Sequence, residues 1–535
     1  MAPYTLEHHD KAVQALSEEV AAFHKTRTPF RINHGSTHAT RMRPPGTPQL
    51  FTTHLNHILG VNVAEQYAVV ESNVKLGDIL HEAQKLGLMP TTLMDFPDVT
   101  VGGGFSGASG ESMCWEEGLF DACVLEVELI LGNGDVVRAV KGGKNADLFD
   151  AARCSLGSLG VVTLVKMRLR EAKDSVLVTY EKKDSVKETI DRIAELCGNE
   201  KPDYDYIDGV VFSQTHGVVV TARHIDSKSA EAKKYPSQRF DRPLDEWCYR
   251  HTRDVPSGHS EVVPLRSYLF RWDRGAFWGG ETMLAYFGVP SNRITRALFD
   301  KLCNARGIYK AQLSTGSAEF AIIQDLILPV ETSKEWVDYV DEELGIWPMW
   351  CTPVRKLAND SEVWGHPFWK TKPGEQEAGV AQKKGRLFMD WGVWGACDGE
   401  PEAFNRINRR LEERLKELRG MKLIYAASFY TEEEFWDLYD RKRYDDARKK
   451  WHAETLPTVW DKIRRDPPKM REEIEVEERP LTLFERLLWV WPFDRMVFGD
   501  EEPKYTLSCC EINRARDRGQ ALAGIPREEC TFQHR

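Results

Sequence analysis

The chain of 535 residues is 41% hydrophobic and 29% charged, and it carries a net charge of −11 at pH 7. This length exceeds one ordinary core, so two domains are expected, and the composition excludes an intrinsically disordered protein. The acidic balance gives no general reason to expect a nucleic-acid partner. The eleven cysteines form no C-x-x-C pair, which argues against a zinc module, and their odd count is typical of a reducing compartment. We therefore predict no metal site.

The N-terminal segment, residues 1–25, has the apolar spacing of an amphipathic helix, with Val13, Leu16, Val20 and Phe23 as its apolar positions. It contains no apolar run of signal-peptide length, and no segment of the chain has the ~18 apolar residues needed to span a bilayer. Residues 54–71 are typical of a strand, a turn and a second strand, and the apolar spacing of residues 74–86 predicts a helix.

A glycine-rich segment, "TVGGGFSGASGES" at residues 100–112, contains five glycines and only two long side chains, Phe105 and Glu111. The clearest strand signal follows it: in residues 123–140 two alternating runs flank the hairpin turn Gly132–Asp135. Residues 157–170 form another alternating strand that is entered through glycines. This mixture predicts an α+β arrangement and not the regular βαβ alternation of a Rossmann domain.

Glycine-rich backbone can approach phosphate oxygens closely and donate its N–H groups to them. The segment lacks the Lys-Ser/Thr of a P-loop and the strand–GxGxxG–helix setting of a Rossmann site. A tight loop between two strands is the simpler interpretation. Two further turns, "NHGSTHAT" at 33–40 and "CSLGSLGVV" at 154–162, lie in the same part of the chain. Three such turns favour a long, bent ligand with a pyrophosphate, and outside a Rossmann fold this indicates a flavin.

Residues 98–112 and the following "EEGLFDACVLEVELILGNGDVV" at 116–137 resemble the flavin segment and hairpin of the vanillyl-alcohol-oxidase type of FAD fold. More narrowly, the chain resembles the delta-24 sterol reductases, the Diminuto/seladin group. Five later blocks carry this narrower resemblance: "VPLRSYLFRWDRGAFW" (263–278), "IIQDLILPV" (322–330), "GIWPMWCTPV" (345–354), "LFMDWGVWG" (387–395) and "LIYAASFYTEEEFWDLYD" (423–440). The resemblance covers residues 30 to 465, approximately.

The resemblance implies a two-domain fold of the α+β class: a PCMH-type FAD-binding fold with an α/β substrate (cap) domain and a C-terminal extension. The expected limits are an N-terminal helix at 1–28, the FAD-binding domain at 29–205, the cap domain at 206–420, a helical return to the FAD domain at 421–466 and the extension at 467–535.

The resemblance also implies which residues hold FAD. The pyrophosphate and ribityl chain are expected against Thr100, Val101, Gly102, Gly103, Gly104, Phe105, Ser106, Gly107, Ala108, Ser109, Gly110, Glu111 and Ser112. The adenine side is expected against Gly157, Ser158, Gly160 and Val162, and the turn with Gly35, Ser36, Thr37 and His38 completes the cradle. Many relatives of the broader fold bond the flavin covalently to a histidine here, for which His34 and His38 are the candidates, but the sterol-reductase group generally lacks it.

Reduction of an isolated alkene needs a proton donor and a dry pocket that tolerates developing positive charge. The second half of the chain is rich in tryptophan, whose faces suit a cation and a rigid apolar substrate, although an ordinary aromatic core is an equal alternative. Seven tryptophans lie close together in sequence: Trp336, Trp347, Trp350, Trp364, Trp369, Trp391 and Trp394.

Asp390 is the first candidate for the proton donor, because it shares a strand face with Phe388 and Trp394, where burial would raise its pKa. A structural aspartate bonded to backbone donors is the alternative. Tyr425 and Tyr430 are rival acids. Arg271, together with Arg266 and Arg274, could bind a nicotinamide phosphate or polarise the flavin. No nicotinamide fingerprint is visible, so NADPH would share the open face of the flavin.

The leading functional hypothesis is therefore an FAD-dependent reductase of an isolated carbon–carbon double bond, in a delta-24 sterol or related terpenoid, with NADPH as hydride donor. The alternatives are a flavin-dependent oxidase or dehydrogenase of an alcohol or hydroxy acid, and a catalytically degenerate flavin-binding partner protein.

The best apolar run, residues 481–498, is interrupted by four charges, Glu485, Arg486, Asp494 and Arg495. It could dock on the protein or lie flat on a membrane surface, but it cannot span one. The N-terminal segment has no apolar anchor of the kind usual in the sterol-reductase group. The sequence thus predicts a small lipid substrate and a cytoplasmic location, with peripheral contact at the endoplasmic reticulum as the open alternative.

Overall fold

The computed structural model describes residues 4–35, 46–315, 321–357, 364–365, 385–397 and 401–465. Its first framework is an antiparallel sheet in the order β3-β4-β8-β6-β7, with β5 paired to β8. A small parallel pair, β1 and β2, precedes it. The strands are β1 Arg31–Asn33, β2 Gln49–Phe51, β3 Ile58–Asn62, β4 Tyr67–Glu71, β5 Leu88–Pro90, β6 Val124–Ile130, β7 Val136–Val140 and β8 Val161–Glu171.

The second framework is an eight-stranded antiparallel sheet in the order β12-β9-β11-β10-β14-β15-β13-β16. Strands from residues 175–264 form one half of this sheet and strands from residues 321–422 form the other. Its strands are β9 Ser175–Lys183, β10 Tyr206–Ser213, β11 His216–Ile225, β12 Ser260–Pro264, β13 Ala321–Pro329, β14 Met349–Arg355, β15 Leu387–Ala396 and β16 Met421–Lys422.

Helices cover both sheets, and their limits follow from caps as well as apolar spacing. Helix Val186–Gly198, for example, begins at Ser185, whose side chain accepts a hydrogen bond from the Glu188 N–H. The longer helices are Leu6–Lys25, Leu76–Gln84, Val186–Gly198, Gly279–Tyr286, Ala305–Thr315, Val330–Tyr339, Pro401–Glu417 and Arg441–Lys450. The shorter ones are Val101–Gly107, Cys114–Glu117, Phe120–Cys123, Ala146–Ala152, Ala232–Lys234, Cys248–Asp254, Leu265–Leu269, Arg293–Leu298, Val340–Leu344, Glu432–Leu438 and Val459–Ile463.

The two faces of the large sheet have different neighbours. One face packs its apolar side chains, such as Ile207, Met389 and Trp391, into a core shared with Val337 and Leu411 of the covering helices. The opposite face contributes to the core that also contains the first sheet and the glycine-rich segment. Because side chains alternate along a strand, every second residue of β10, β13, β14 and β15 is directed at this second core. The functional site is built there.

The predicted α+β fold is confirmed, and so are the predicted local elements: the N-terminal helix, the strand pair within 54–71, the helix within 74–86, the hairpin within 123–140 and the strand within 157–170. The prediction of a loop over 100–112 is wrong in part, because Val101–Gly107 is helical. The eight cysteines in the described residues are buried thiols. Within the same residues, no helix has the length and apolarity to cross a bilayer. Residues 467–535, including 481–498, lie outside the described residues.

Candidate functional site

The glycine-rich segment becomes a short helix because tertiary hydrogen bonds support its first turn. The Thr100 hydroxyl caps the helix by accepting from the Gly103 N–H at 3.2 Å. The N–H groups of Val101 and Gly102 donate to the carbonyls of Val74 and Ser72 at 2.9 and 2.8 Å. These bonds attach the helix to the end of β4, and they outweigh the poor helix propensity of glycine.

Three of the five glycines are required by packing within the protein. A Cβ atom at Gly102 would lie 2.8 Å from the Ser72 Cβ, one at Gly104 would lie 2.6 Å from a Phe120 ring carbon, and one at Gly110 would lie 2.7 Å from the Cys114 Sγ. At Gly103 a Cβ would have one close neighbour, the Thr100 Oγ1 that caps the helix, at 2.9 Å. Gly107 has more room, because the nearest neighbour of a Cβ there would be the Tyr425 Cβ at 3.8 Å.

Gly103, Ser106 and Ser109 are the residues of this segment that stay half-buried, and the spacing of three puts Gly103 and Ser106 on one side of the helix. The backbone N–H groups of Ser109 and Gly110 have no hydrogen-bond acceptor among the described residues. Small side chains, hydroxyls and free N–H donors are what a pyrophosphate needs from a protein. The residues present therefore fit the FAD pyrophosphate that the sequence predicted here.

The second glycine turn lies directly against this helix: the N–H of Leu156 donates to the Ser106 carbonyl at 2.9 Å. Ser158 is buried beneath the C-terminal helices, because its hydroxyl accepts from the Tyr444 hydroxyl at 2.8 Å and its carbonyl accepts from Arg448 at 2.5 Å. Gly157 and Gly160 have positive φ angles of 74° and 153°, and Val162 is buried in β8. The role of these four residues at the adenine remains a prediction.

The first turn is described only in part. The Gly35 N–H donates to the Asn33 side chain at 3.1 Å, and Gly35 has a φ of 69°. The other predicted members of this turn, Ser36, Thr37 and His38, lie outside the described residues.

A row of polar residues crosses the large sheet on the face directed at the glycine-rich segment. The register pairs Thr352 of β14 with Asp390 of β15, and Asp208 of β10 continues the same row. Asp325 of β13 is opposite Gly392, two residues from Asp390 and on the same face. Four neighbouring strands thus bring three carboxyls and one hydroxyl onto one buried surface.

Arg271 is the buried cation of this surface. Its Nη2 lies 2.7 Å from the Glu111 carboxylate of the glycine-rich segment and 2.7 Å from the Asp208 carboxylate. The Trp350 Nε1 donates to the same Asp208 oxygen at 2.9 Å. One carboxylate from the glycine-rich segment and one from the large sheet therefore share one guanidinium, which links the two. Arg266 and Arg274 instead bond to backbone carbonyls.

Burial raises the pKa of three other carboxyls near this surface, those of Asp390, Asp325 and Asp95. Burial and the nearby Asp325 raise the pKa of Asp390 well above its usual range, although the N–H groups of Leu326 and Trp391 oppose this. Its Oδ1 has no hydrogen-bond partner among the described residues. Burial raises the pKa of Asp325 to about 6, against hydrogen bonds from Tyr425 and Trp394. Burial, with Glu111 nearby, also raises the pKa of Asp95 well above its usual range. These effects favour the protonated form of the Asp390 carboxyl.

The structure separates the two tyrosines that the sequence proposed as acids. The Tyr425 hydroxyl donates to the Asp325 carboxylate, and Asp390 is close enough to contribute to the rise of the Tyr425 pKa. The Tyr430 hydroxyl donates to the Glu412 backbone carbonyl at 3.1 Å, within a different set of neighbours. Asp390, Tyr425 and Arg271 thus belong to one buried surface, and Tyr430 does not contact it.

The tryptophans also divide between locations. Trp350 and Trp394 lie on the face with Asp390, where their ring centroids are 5.2 and 4.9 Å from that of Phe277. Ala276 and Phe277 are consecutive residues with positive φ angles of 41° and 60°, which residues other than glycine seldom adopt. This turn directs the Phe277 ring at the two tryptophans.

The other described members of the group of seven tryptophans pack in the hydrophobic cores. Trp336, Trp347 and Trp391 belong to the core on the opposite face of the sheet, and Trp364 packs on Tyr444. Trp369 lies outside the described residues. The aromatic-core interpretation is thus correct for four of the seven tryptophans, whereas Trp350 and Trp394 line the buried polar surface.

Sequence reasoning missed four carboxyls of this surface: Asp95, Glu111 as an ion-pair partner, Asp208 and Asp325. A signal for two of them was present, because Asp208 and Asp325 each interrupt an apolar strand, "YIDGVVFS" and "AIIQDLILP". An acid at an inward position of a buried strand needs a partner or a proton. Asp95 precedes no regular element and offered no comparable signal.

Comparison with known proteins agrees with this geometry. A family model described as an FAD binding domain matches residues 11–139. The chain is 26% identical over 441 residues to the Delta(24)-sterol reductase of Arabidopsis thaliana, covering 79% of this chain and 78% of that protein. It is 26% identical over 426 residues to the Delta(24)-sterol reductase of Homo sapiens, covering 77% and 76%. Cytokinin dehydrogenase 9 of Oryza sativa subsp. japonica is 33% identical over 145 residues, 26% of this chain and 27% of that protein.

The long matches include the strands that carry the buried carboxyls, whereas the short match to a dehydrogenase covers only a quarter of the chain. The chain is therefore an FAD-dependent oxidoreductase with a PCMH-type FAD-binding domain, and it is similar to Delta(24)-sterol reductases along more than three quarters of its length.

Proposed function

We propose that this protein reduces an isolated carbon–carbon double bond in the side chain of a delta-24 sterol or a related terpenoid, with NADPH as the hydride donor. The observation that carries the proposal is the position of the Asp390 carboxyl, buried on the sheet face that meets the glycine-rich segment, where burial raises its pKa. The similarity to Delta(24)-sterol reductases supports the substrate class.

FAD, when bound and reduced by NADPH, would supply a hydride to a substrate carbon. An isolated alkene has no conjugated group to accept negative charge, so a proton must reach its less substituted carbon before or together with the hydride. Asp390 meets this need, because its raised pKa favours the protonated carboxyl and its Oδ1 has no partner among the described residues. Asp390 is therefore the proposed catalytic acid.

Neighbouring residues support the same reaction. Asp325 and Tyr425 form a hydrogen-bonded pair next to Asp390, and they could return a proton to it after each turnover. The rings of Trp394 and Phe277 form an apolar wall where a cation-like carbon would be stabilised, by about 0.5–2 kcal/mol for each desolvated aromatic face. Arg271 is fixed by Glu111 and Asp208, so its proposed role is to position the glycine-rich segment.

The proposal includes the FAD contacts and the domain limits expected from the sequence, with FAD held between residues 100–112, the turn at 157–162 and the turn at 33–40. NADPH is proposed to reach the open face of the flavin, which the sterol enters afterwards. A lipid of this kind is the proposed small-molecule partner.

An oxidase or dehydrogenase of an alcohol or hydroxy acid is the second candidate, because the match to a cytokinin dehydrogenase covers part of the chain. Such an enzyme needs a base to remove a proton from its substrate. Burial disfavours the ionised Asp390 carboxylate that a base requires, so the geometry favours the reductase. A degenerate flavin-binding partner protein is the third candidate, and it would show neither reaction.

The test is the flavin absorbance of the purified protein under anaerobic conditions. NADPH should bleach it, and a sterol with a side-chain double bond should restore it. Asp390→Asn should leave bleaching unchanged and slow the sterol-driven recovery by about 10²–10⁴-fold, the usual contribution of a general acid. Asp191→Asn, on an exposed helix, is the control. Bleaching by an alcohol or hydroxy acid would refute the reductase, and recovery at the normal rate in Asp390→Asn would refute the acid assignment.

A further inference from the structure

An apolar patch with basic neighbours lies on the surface of the cap region. It consists of Leu244, Ile294 and Leu298, whose exposed fractions are 56%, 77% and 70%. Ile294 and Leu298 are four residues apart in helix Arg293–Leu298 and so share one side of it. The Arg293 Nε donates to the Leu244 carbonyl at 3.2 Å, which brings the loop with Leu244 next to the helix. We call these three residues the 294 patch.

The 294 patch is unusual for this protein. Ile294 and Leu298 are the two most exposed large hydrophobic residues in the described chain, and the others, such as Leu86 and Val136, are 42–57% exposed. Single exposed apolar side chains are normal, but a contiguous group of them on a protein surface marks a binding site for a protein or a membrane. The patch therefore requires an apolar partner.

The charges around the patch indicate the kind of partner. Arg242, Arg293 and Lys301 are exposed and have no ion pair with a described residue. The acids nearby are neutralised instead: Asp241 pairs with Arg239, Glu246 with Arg250 and Asp300 with Arg274. Asp245 accepts a hydrogen bond from the Arg242 backbone N–H. Three exposed basic side chains beside the patch thus lack an ion pair among the described residues, against one half-buried acid, Asp245, so the unpaired charges there are net positive.

The position of the patch relates it to the buried surface. Helix Gly279–Tyr286, which precedes the patch in the chain, follows directly after Phe277 and Trp278. Helix Ala305–Thr315, which follows it, carries Tyr309, whose ring centroid is 6.2 Å from that of Trp394. The segment with Ile294 and Leu298 therefore connects two elements that line the candidate active site.

We infer that the 294 patch docks on a membrane surface that carries anionic lipid headgroups. Leu244, Ile294 and Leu298 enter the interface, and Arg242, Arg293 and Lys301 contact the headgroups. Apolar insertion combined with basic side chains is the usual requirement for such reversible binding. This inference rests on the surface alone and does not need the proposed reaction, because binding is measured without a substrate.

The experiment measures co-sedimentation of the full chain with vesicles of phosphatidylcholine, alone or with added phosphatidylserine. The wild-type protein should bind the anionic vesicles more strongly. Ile294→Asp combined with Leu298→Asp should weaken that binding about tenfold or more. Leu86→Asp, at a residue of similar type that is 48% exposed in the first domain, should bind like the wild type. Arg293→Glu combined with Lys301→Glu should remove the preference for anionic vesicles.

Three results would overturn the inference. The wild-type protein could fail to bind vesicles, or the Ile294/Leu298 variant could bind as well as the wild type, which would assign binding to another segment. Sedimentation velocity could also show a wild-type dimer that becomes monomeric in this variant, which would make the patch a contact between two copies. Retained flavin absorbance verifies folding of each variant.

Discussion

Replacement of His9 by glutamine tests a buried set of hydrogen bonds that joins the N-terminal helix to the first sheet. His9 is fully buried, with its Nδ1 2.8 Å from Glu71 and its Nε2 3.0 Å from Glu128. Glu71 also accepts from the Tyr4 hydroxyl and the His57 N–H, both at 2.8 Å. One imidazole thus joins two carboxylates that are far apart in sequence, and this requires both ring nitrogens to be protonated.

The folding free energy that these His9 hydrogen bonds contribute depends on pH. Burial opposes a charge on His9, but the hydrogen bonds with Glu128 and Glu71 outweigh it and raise the pKa of His9 from 6.5 to about 9. This rise corresponds to about 3 kcal/mol of folding free energy. Because the folded pKa is the higher one, this stabilisation is fully present below pH 6.5 and is lost as the pH rises through about 9. His9→Gln should therefore cost about 3 kcal/mol below pH 6.5, progressively less between pH 6.5 and about 9, and little above that.

Urea unfolding of the wild-type protein and His9→Gln, at about pH 6 and about pH 10, measures this difference directly. His24→Gln, a half-buried position on the same helix, is the control and should show no such pH dependence. A free-energy difference between wild type and His9→Gln that stays constant from pH 6 to 10 would refute the reasoning, since the charge on His9 would then contribute nothing.

Three further predictions concern the site. Gly103→Leu should give protein without bound FAD, and stoichiometric FAD in this variant would exclude the pyrophosphate contact. The control variant Gly198→Leu should stay yellow, because a Cβ at Gly198 would meet nothing within 4 Å. Arg271→Met should lower the free energy of urea unfolding by about 3–5 kcal/mol, because it leaves two buried carboxylates unpaired, and a cost below 1 kcal/mol would contradict the pairing. Tyr425→Phe removes a hydrogen bond that lowers the pKa of Asp325, so the pH profile of sterol-driven flavin recovery should move to higher pH, and an unchanged profile would argue against this coupling.

Much of the local structure could be predicted from the sequence, because strand and helix patterns depend on neighbouring residues. The hairpin around Gly132–Asp135 is an example, since its turn residues and the alternation on both sides point to the same structure. The FAD-binding fold was also predictable, through the glycine-rich segment and its resemblance to known flavoproteins. Asp390 was a candidate for the same reason: its strand pattern showed an acid among apolar residues.

The helix at Val101–Gly107 could not be predicted in this way. Glycine disfavours a helix, so local propensity indicated a loop. The helix forms because the carbonyls of Ser72 and Val74 accept its first N–H groups and the Thr100 hydroxyl caps it. Two of those three contacts come from another part of the chain, and a local pattern contains no information about them.

Which residues form the candidate site also depends on the tertiary structure. Glu111, Asp208 and Arg271 are separated by many residues, and only the packing of the segments with Glu111 and Arg271 against the large sheet brings them into one ion-paired group. The fold likewise places Tyr425 beside Asp325 and leaves Tyr430 with Glu412. The sequence determined which side chains point inward along each strand, because that follows from a period of two. Which inward side chains meet depends on strand pairing between distant segments, and that is settled only when the whole sheet forms.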